Sequence, residues 1–225
     1  MLLLILFAVV VGYVVQPFVA QVPAARAGGF RVATAESADV LSAVLGAYDE
    51  VIGDDVGPYR GHCLRVLSYA KHFLKEDEAW ADADIAAATD VLEAAIAYHD
   101  IALWTDGALD YLAPSAAKAR SDLAPTANFT PEQLQAIDDI IMWHHKLTPW
   151  EGPNAALVNA VRKADWIDFS GGLTRLGSAV SAGAVRKAVT AIPCGGFHAM
   201  LAGMGPRLSP DSWKGQLEVL KIIKW

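Results

Sequence analysis

Four residues in three separate segments of the sequence carry side chains that bind divalent metal ions. In sequence order they are His62, the adjacent pair His99 and Asp100, and Asp165. Imidazole nitrogens and carboxylate oxygens are both ligands for divalent metals, and two of each are enough to hold one ion. They interrupt apolar, Ala-rich sequence at positions where a protein core would favour Leu or Val. The set therefore predicts a metal site.

Asp100 gives the strongest reason for this interpretation. Together with His99 it closes an apolar run over residues 94–98. A buried charge without a partner is very costly, and a metal ion would supply the partner. The alternative is an Asp that caps a helix end beside a hydrogen-bonded core His. That alternative weakens because His62 and Asp165 have similar surroundings.

The elements that must position these residues are predicted to be helices. Apolar residues recur at spacings of three and four, and no strand-like alternation persists. The predicted helices cover residues 36–52, 58–74, 84–101, 111–122, 131–146, 154–168 and 173–190. We expect residues 193–205 to be irregular, and Ser209 and Pro210 to open a final helix. Thr130 and Gln133 form a predicted capping box around Pro131.

No internal repeat or low-complexity linker divides the chain. We therefore expect an all-α fold with one compact domain of seven to nine helices over residues 30–225. The ligand-bearing helices should form its core over about residues 45–170. Metal sites of helical bundles are built in this way, from inward-facing side chains on facing helices.

The charge balance and the cysteines exclude several functional classes. The 225 residues include 18 Lys and Arg against 25 Asp and Glu, so the net charge is −7. A chain this acidic lacks the broad basic face of a protein that binds a nucleic-acid polymer. Cys63 and Cys194 have no CxxC spacing, so a Cys-zinc site is not indicated. Two packing cysteines are favoured over a single disulfide.

The first 27 residues are predicted to lie outside the catalytic fold. Residues 2–15 form an apolar run, and no charge precedes Arg26. As a helix this run spans about 21 Å, which is shorter than a bilayer core but suits a signal peptide. A membrane anchor through residues 2–19 is the equal alternative, with the C-terminal domain in the cytoplasm. A cleaved signal peptide would instead place the domain outside the cell or in the periplasm.

The ordered set of metal-binding residues resembles the HD superfamily of metal-dependent phosphohydrolases. The matching segments are residues 62–66, 98–101, 141–146 and 163–165, and the resemblance covers about residues 45–170. It implies that the metal ligands are His62, His99, Asp100 and Asp165. It leaves the identity of the ion open among Mn, Fe, Zn, Ni, Co and Mg, and it says nothing of the oligomeric state.

The resemblance also implies roles for residues around the ligands. Members with two ions usually carry a further His ahead of the His-His segment, and none stands between His99 and His144. We therefore expect one ion, with His144 or His145 facing the substrate and protonating the leaving group. Neighbouring helical residues point about 100° apart, so both rings need not face the site. Lys146 is expected to assist catalysis.

Two further residues are expected to contact the substrate. Arg65 lies one turn after His62 and would hold phosphate oxygens. Asp168 lies one turn beyond Asp165, on a neighbouring part of the same helix face. It would contact the substrate or support a metal ligand.

The leading hypothesis for function is a hydrolase of a small phosphorylated or nucleotide-like molecule. It would use a water activated by the metal. Three alternatives stay open: a diiron oxygenase, a hydratase of a small nitrogen compound, and a ligand-binding domain without catalysis. The oxygenase would require both His144 and His145 to bind iron. The fold alone does not rank these hypotheses.

Overall fold

A computed structural model of the chain describes residues 29–175 and 178–225, and in these ranges the secondary structure is helical without a strand. The all-helical prediction is confirmed. The predicted apolar segment, residues 1–27, lies outside the described residues. Among the helices that are described, none is both long enough and apolar enough to cross a bilayer.

The described ranges contain twelve α-helices. They are α1 (Asp39–Ala47), α2 (Asp49–Ile52), α3 (Val56–Glu76), α4 (Asp82–Ala87), α5 (Thr89–Tyr98), α6 (Ala102–Thr105), α7 (Leu112–Leu123), α8 (Pro131–Trp143), α9 (Ala155–Phe169), α10 (Ala182–Ala191), α11 (Phe197–Leu208) and α12 (Trp213–Gln216). Nine of them have six residues or more. The count exceeds the predicted seven to nine because the predicted helix over residues 36–52 is divided into α1 and α2, the one over residues 84–101 is divided into α4 and α5, and α6 and α11 were not predicted.

The centre of the fold is the pairing of α3 with α9. The two helices bury apolar side chains against each other in the main core, among them Leu67 of α3 and Val161 of α9. Ala160 and Ala164 on α9 are small and fully buried, so the two backbones can approach closely. This packing brings the middle of α3 beside the end of α9.

The start of α8 is visible in its local sequence, whereas its end is not. The side chain of Thr130 accepts a hydrogen bond from the backbone N–H of Gln133 at 3.3 Å. The Gln133 side chain accepts one from the Thr130 N–H at 2.8 Å, which confirms the predicted capping box. The helix ends at Trp143, three residues earlier than predicted.

The predicted helix over residues 173–190 was wrong in its first half. A short 3-10 turn, Leu173–Arg175, follows α9, and α10 begins only after Ser181. The Ser181 side chain accepts a hydrogen bond from the backbone N–H of Ala184 at 3.1 Å and so sets the start of α10.

The predictions for the C-terminal part were also wrong. Residues 193–205, expected to be irregular, contain most of α11, which begins after Gly196 in the left-handed region at φ 92°. The last helix starts after Ser212 rather than at Ser209, because the Ser212 side chain accepts from the Gly215 N–H at 3.0 Å. A 3-10 segment, Leu217–Ile222, follows it.

These C-terminal elements build a second, smaller apolar cluster. Met204 of α11 and Ile222 of the 3-10 segment are buried there against Leu103, Leu109 and Leu112. Cys63 and Cys194, both within the described residues, are not joined by a disulfide. The main core holds the helices that carry the candidate site, whereas the second cluster covers that site.

Candidate metal centre

Six residues bring nitrogen and oxygen atoms together at the junction of the two apolar clusters. This ligand cluster consists of His62, His99, Asp100, His144, His145 and Asp165. Helices α3 and α9 supply one residue each, and the turns after α5 and α8 supply an adjacent pair each. Five of the six are buried, and the His145 side chain is 13% exposed.

The first half of the ligand cluster contains the four residues predicted to bind the metal. The Nε2 atom of His62 lies 3.1 Å from Nε2 of His99 and 3.2 Å from an oxygen of Asp165. Asp100 also belongs to this half, and its Oδ2 atom lies 3.1 Å from Nε2 of His99. Atoms that bind one ion at roughly 2.0–2.2 Å lie about 3 Å apart, so these separations suit shared coordination.

The second half of the ligand cluster involves the other oxygen of each carboxylate. Oδ1 of Asp100 lies 3.5 Å from Nε2 of His144. Oδ2 of Asp165 lies 3.7 Å from Nδ1 of His145. Each carboxylate therefore directs one oxygen to the first half of the cluster and the other to the second half. Two groups that could hold a metal ion result, one with His62 and His99 and one with His144 and His145, and they share Asp100.

Three atoms of the second half lack a hydrogen-bond partner among the described residues. They are Oδ1 of Asp100, Nε2 of His144 and Nδ1 of His145, and all three are buried. Leaving a buried polar atom unsatisfied costs about 1–3 kcal/mol. Three such atoms converging on one place fit a cation, which would satisfy all of them at once.

Two of the imidazole rings are oriented by the helix ends that precede them. Nδ1 of His99 lies 2.6 Å from the carbonyl oxygen of Ile96, three residues earlier. Nδ1 of His144 lies 2.8 Å from the carbonyl oxygen of Ile141, again three residues earlier. A carbonyl only accepts, so Nδ1 carries the proton in both rings. The lone pair of Nε2 then points into the ligand cluster, as a metal ligand requires.

The other two rings are oriented by side chains. Nδ1 of His62 lies 2.8 Å from Oδ2 of Asp168, whose carboxylate also accepts from the guanidinium of Arg65. Nε2 of His145 lies 2.8 Å from the hydroxyl of Tyr111, which leaves Nδ1 facing the carboxylates. Each histidine thus has an outer partner that sets which nitrogen can bind a metal.

The carboxylates dominate the electrostatics of the first half. Burial lowers the pKa of His62, but Asp165 and Asp168 outweigh it and raise the pKa to about 9. Burial likewise opposes the charged form of His99, and the neighbouring carboxylates, above all Asp100, raise its pKa to about 9. Burial raises the pKa of Asp100, yet the histidines around it hold that pKa well below its usual range. The carboxylates therefore favour positive charge in this part of the cluster.

The pKa of His145 is shifted in the opposite direction. Burial, followed by the neighbouring ring of His144, lowers the pKa of His145 to about 3. Its imidazole is therefore neutral across the physiological range. A neutral ring with its lone pair directed at a carboxylate pair is the form that binds a metal ion.

A cavity of about 840 Å³, including its open mouth, adjoins the ligand cluster. Four residues of the cluster line it, His62, Asp100, His145 and Asp165, together with the polar side chains of Tyr111 and Trp166. The remaining lining is apolar and comprises Leu103, Leu109, Phe169, Phe197, Leu201, Ala202, Met204, Gly205, Val219, Ile222 and Ile223. Among the described residues, no Lys or Arg lines this cavity.

Three sequence-predicted site residues do not reach the cavity. Arg65 is fully buried, and its guanidinium holds Asp168, so both are occupied in supporting His62 rather than a substrate. The Nζ of Lys146 donates to the Thr148 hydroxyl at 2.7 Å and to the carbonyl of Trp225, on the protein surface. The substrate-binding predictions for Arg65 and Asp168 and the catalytic prediction for Lys146 are corrected accordingly.

The expectation that His144 and His145 need not both face the site also changes. α8 ends at Trp143, and the two histidines lie in the following turn, where the regular helical angle between neighbours does not apply. Their ring centroids are 4.0 Å apart, and both rings offer a nitrogen to the ligand cluster.

Two residues at the site were missed by reasoning from the sequence. Tyr111 stands at the start of α7 in a segment to which no role was attached, and Phe197 lies in the part expected to be irregular. Phe197 stacks on the ring of His62, with centroids 4.1 Å apart and planes at 10°. Neither has a local signal that announces such a contact, because both reach the site through tertiary packing.

Comparisons of the chain with protein-family models, with curated proteins and with solved structures give no match.

Proposed function

We propose that this chain is a metal-dependent hydrolase of a small organic molecule. The observation that carries the proposal is the ligand cluster at the wall of a largely apolar cavity. Apolar cavities with a few convergent polar groups are typical of enzyme sites. The HD resemblance in the sequence supports the same reaction class, since the residues it singles out are the ones that converge here.

Different residues would hold the metal ion and donate the proton. A divalent ion bound in the ligand cluster would supply Lewis acidity, which makes water more acidic and polarises the bond to be hydrolysed. His62, His99, Asp100 and Asp165 would hold it. With Nδ1 of His145 on a metal ion, Nε2 would carry the ring proton and donate it to the Tyr111 oxygen, so the Tyr111 hydroxyl would keep its own proton for a group in the cavity. Tyr111 is therefore the proposed proton donor to the leaving group.

The ligand cluster favours two ions over the single ion expected from the sequence. The expectation of one ion rested on the lack of a further His between His99 and His144. In the folded chain, His144 and His145 each offer a nitrogen to the second half of the cluster, so that no further His is needed there. We propose a second ion position formed by these two histidines with the outer oxygens of Asp100 and Asp165.

Only the HD resemblance supports a phosphorylated substrate. Enzymes that bind phosphate commonly use Arg or Lys, and none lines the part of the cavity that is described. A phosphorylated substrate would therefore depend on the metal ions for its charge. We keep phosphate monoesters as one class of candidate substrate among esters and amides.

A diiron oxygenase is the second candidate, and one observation favours it. Both His144 and His145 face the ligand cluster, which is the condition that this alternative requires. The two candidates differ in the metal that supports turnover. Iron with consumption of O₂ would indicate the oxygenase, whereas turnover without O₂ would indicate the hydrolase.

The test is metal content together with activity on the purified full chain. We expect bound divalent metal in the wild type and its loss in Asp100→Ala, because Asp100 belongs to both metal-binding groups. His72→Ala is the matched control, since His72 is partly buried and packs on Phe30 away from the ligand cluster. Hydrolysis of a panel of esters, amides and phosphate monoesters should require the metal. Metal-free wild-type protein that also fails to take up Mn, Fe, Co or Zn would overturn the proposal.

A further inference from the structure

We infer that the substrate carries an apolar group away from its reacting end, and that a nucleotide or sugar phosphate is not the substrate. This inference rests on the proposed function for the reacting end and deepens it. It follows from the distribution of polar and apolar side chains over the wall of the cavity.

The polar side of the cavity lies entirely at the ligand cluster. His62, Asp100, His145 and Asp165 line that side, with the hydroxyl of Tyr111 beside them. A substrate would place its reacting polar group there. Every other lining side chain except Trp166 is apolar, so the non-reacting part of the substrate meets hydrocarbon.

Two elements present much of this apolar wall as helical stripes. On α11, Phe197, Leu201 and Met204 recur at spacings of four and three, which puts them on one face. On the C-terminal 3-10 segment, Val219 and Ile222 recur at a spacing of three, which puts them on one face. The periodicity shows that whole apolar faces of these elements are turned towards the cavity.

A sugar or a nucleobase would find few hydrogen-bond partners on such a wall. Its hydroxyl and amide groups would leave water without gaining partners, and a site without matching polar groups binds such a ligand weakly. Helix backbone groups in the wall already bond within their helices. An alkyl or aryl group gains affinity from the same surface in proportion to the area buried.

The position of Ala202 allows the cavity to be shortened without breaking the helix. Ala202 lies on the wall, and Leu at this position would fill part of the apolar end. Ala199 lies on the same helix but is exposed and does not line the cavity. Ala and Leu are both strong helix formers, so the two substitutions to Leu differ chiefly in where the added carbons lie.

The experiment measures binding of n-alkylphosphonates from methyl to octyl by calorimetry, with ribose 5-phosphate and adenosine monophosphate as polar competitors. On the metal-loaded wild type, we expect affinity to rise by about fourfold per methylene until the cavity is filled. Ala202→Leu should end this rise at a shorter chain, and Ala199→Leu should leave it unchanged. A flat series, or polar competitors that bind as tightly as octylphosphonate, would overturn the inference.

Parallel titrations with n-alkanols from butanol to octanol separate this inference from the proposed function. Alkanols need no metal to enter an apolar cavity. A chain-length dependence with alkanols that shortens in Ala202→Leu supports the apolar substrate class, even if no phosphonate binds and no ester is hydrolysed. Phosphonate binding that depends on metal but not on chain length supports the metal centre and refutes the apolar class.

Discussion

Nδ1 of His62 lies 2.8 Å from Oδ2 of Asp168, and the guanidinium of Arg65 donates to both oxygens of that carboxylate at 2.6 and 2.8 Å. All three side chains are buried. Arg65 balances the charge of Asp168 and fixes its position. Asp168 in turn fixes the ring of His62 with Nε2 turned towards the ligand cluster. A substrate-binding role is thereby replaced by a positioning role for both residues.

Replacing Asp168 by Asn should weaken metal binding without abolishing it. Loss of an outer partner of a metal-binding histidine typically costs about 10–100-fold in metal affinity. We expect a loss of this size in Asp168→Asn, measured by competition with a chromogenic zinc chelator. Asp122→Asn is the matched control, because Asp122 also accepts hydrogen bonds from side chains, the hydroxyls of Tyr48 and Tyr98. Equal metal affinity of Asp168→Asn and wild type would refute the positioning role.

Removing only one partner of the buried Arg65–Asp168 pair should destabilise the fold strongly. Arg65→Met leaves the Asp168 carboxylate buried without its cation, and such a change typically costs about 3–5 kcal/mol in the free energy of unfolding. In the double variant Arg65→Met with Asp168→Asn, we expect part of that loss to be recovered, because no uncompensated charge remains. Urea denaturation in the presence of EDTA measures both.

The control for this experiment is an ion pair on the surface. Arg120 pairs with Asp138 and its side chain is about half exposed. Arg120→Met should therefore change the free energy of unfolding by less than about 1 kcal/mol. Purely additive effects of Arg65→Met and Asp168→Asn would contradict the coupling seen in the structure.

The sequence predicted the helical class and the segments that converge at the site. His62 and Asp165 lie within long apolar-spaced segments, so their place on buried helices followed from periodicity. The capping box of α8 was predicted for a similar reason, since Thr130 and Gln133 act through local hydrogen bonds. Such features depend on neighbours within a few residues.

The remaining features depend on contacts between distant segments. Both His144 and His145 reach the site because α8 ends one residue before them, and helix ends are the least certain part of a prediction from sequence. α11 was hidden because its glycines resemble a loop signal, although its apolar face is held by the second cluster. Tyr111 and His145 meet across 34 residues of sequence, so no local pattern pairs them.

Substitution of Tyr111 should affect one ion position more than the other. The Tyr111 hydroxyl is hydrogen-bonded to Nε2 of His145, and the loss of this hydroxyl in Tyr111→Phe frees that ring to rotate. We expect two ions per chain in the wild type, and weaker binding of one of them in Tyr111→Phe, by about 10-fold or more. His145→Ala should retain a single ion. Metal titration followed by elemental analysis distinguishes these states.

The matched control for Tyr111 is Tyr98→Phe. Tyr98 donates to Asp122 at 3.0 Å and does not contact the ligand cluster. Two ions should therefore remain bound with wild-type affinity. If the wild type itself binds one ion, and His145→Ala keeps it with unchanged affinity, the second position does not exist.

The stability gained from metal should grow as the pH rises from about 6 to about 9. In the metal-free protein, the pKa of His62 and that of His99 are each raised to about 9 by the carboxylates that outweigh burial. Protonation of these rings contributes stability below the ordinary His pKa of 6.5, and that contribution is lost as the pH rises through about 9. Metal binding has the opposite dependence, since both Nε2 atoms must be deprotonated.

The melting temperature, measured with and without 1 equivalent of Co²⁺ or Mn²⁺ per site at several pH values, tests this linkage. We expect the gain from metal to be smallest at pH 6 and to increase up to pH 9. His62→Gln should flatten the dependence, because it removes one of the two protons that compete with the metal, whereas His72→Gln should not. A gain that is constant over this range in the wild type would show that His62 and His99 do not exchange protons for the ion.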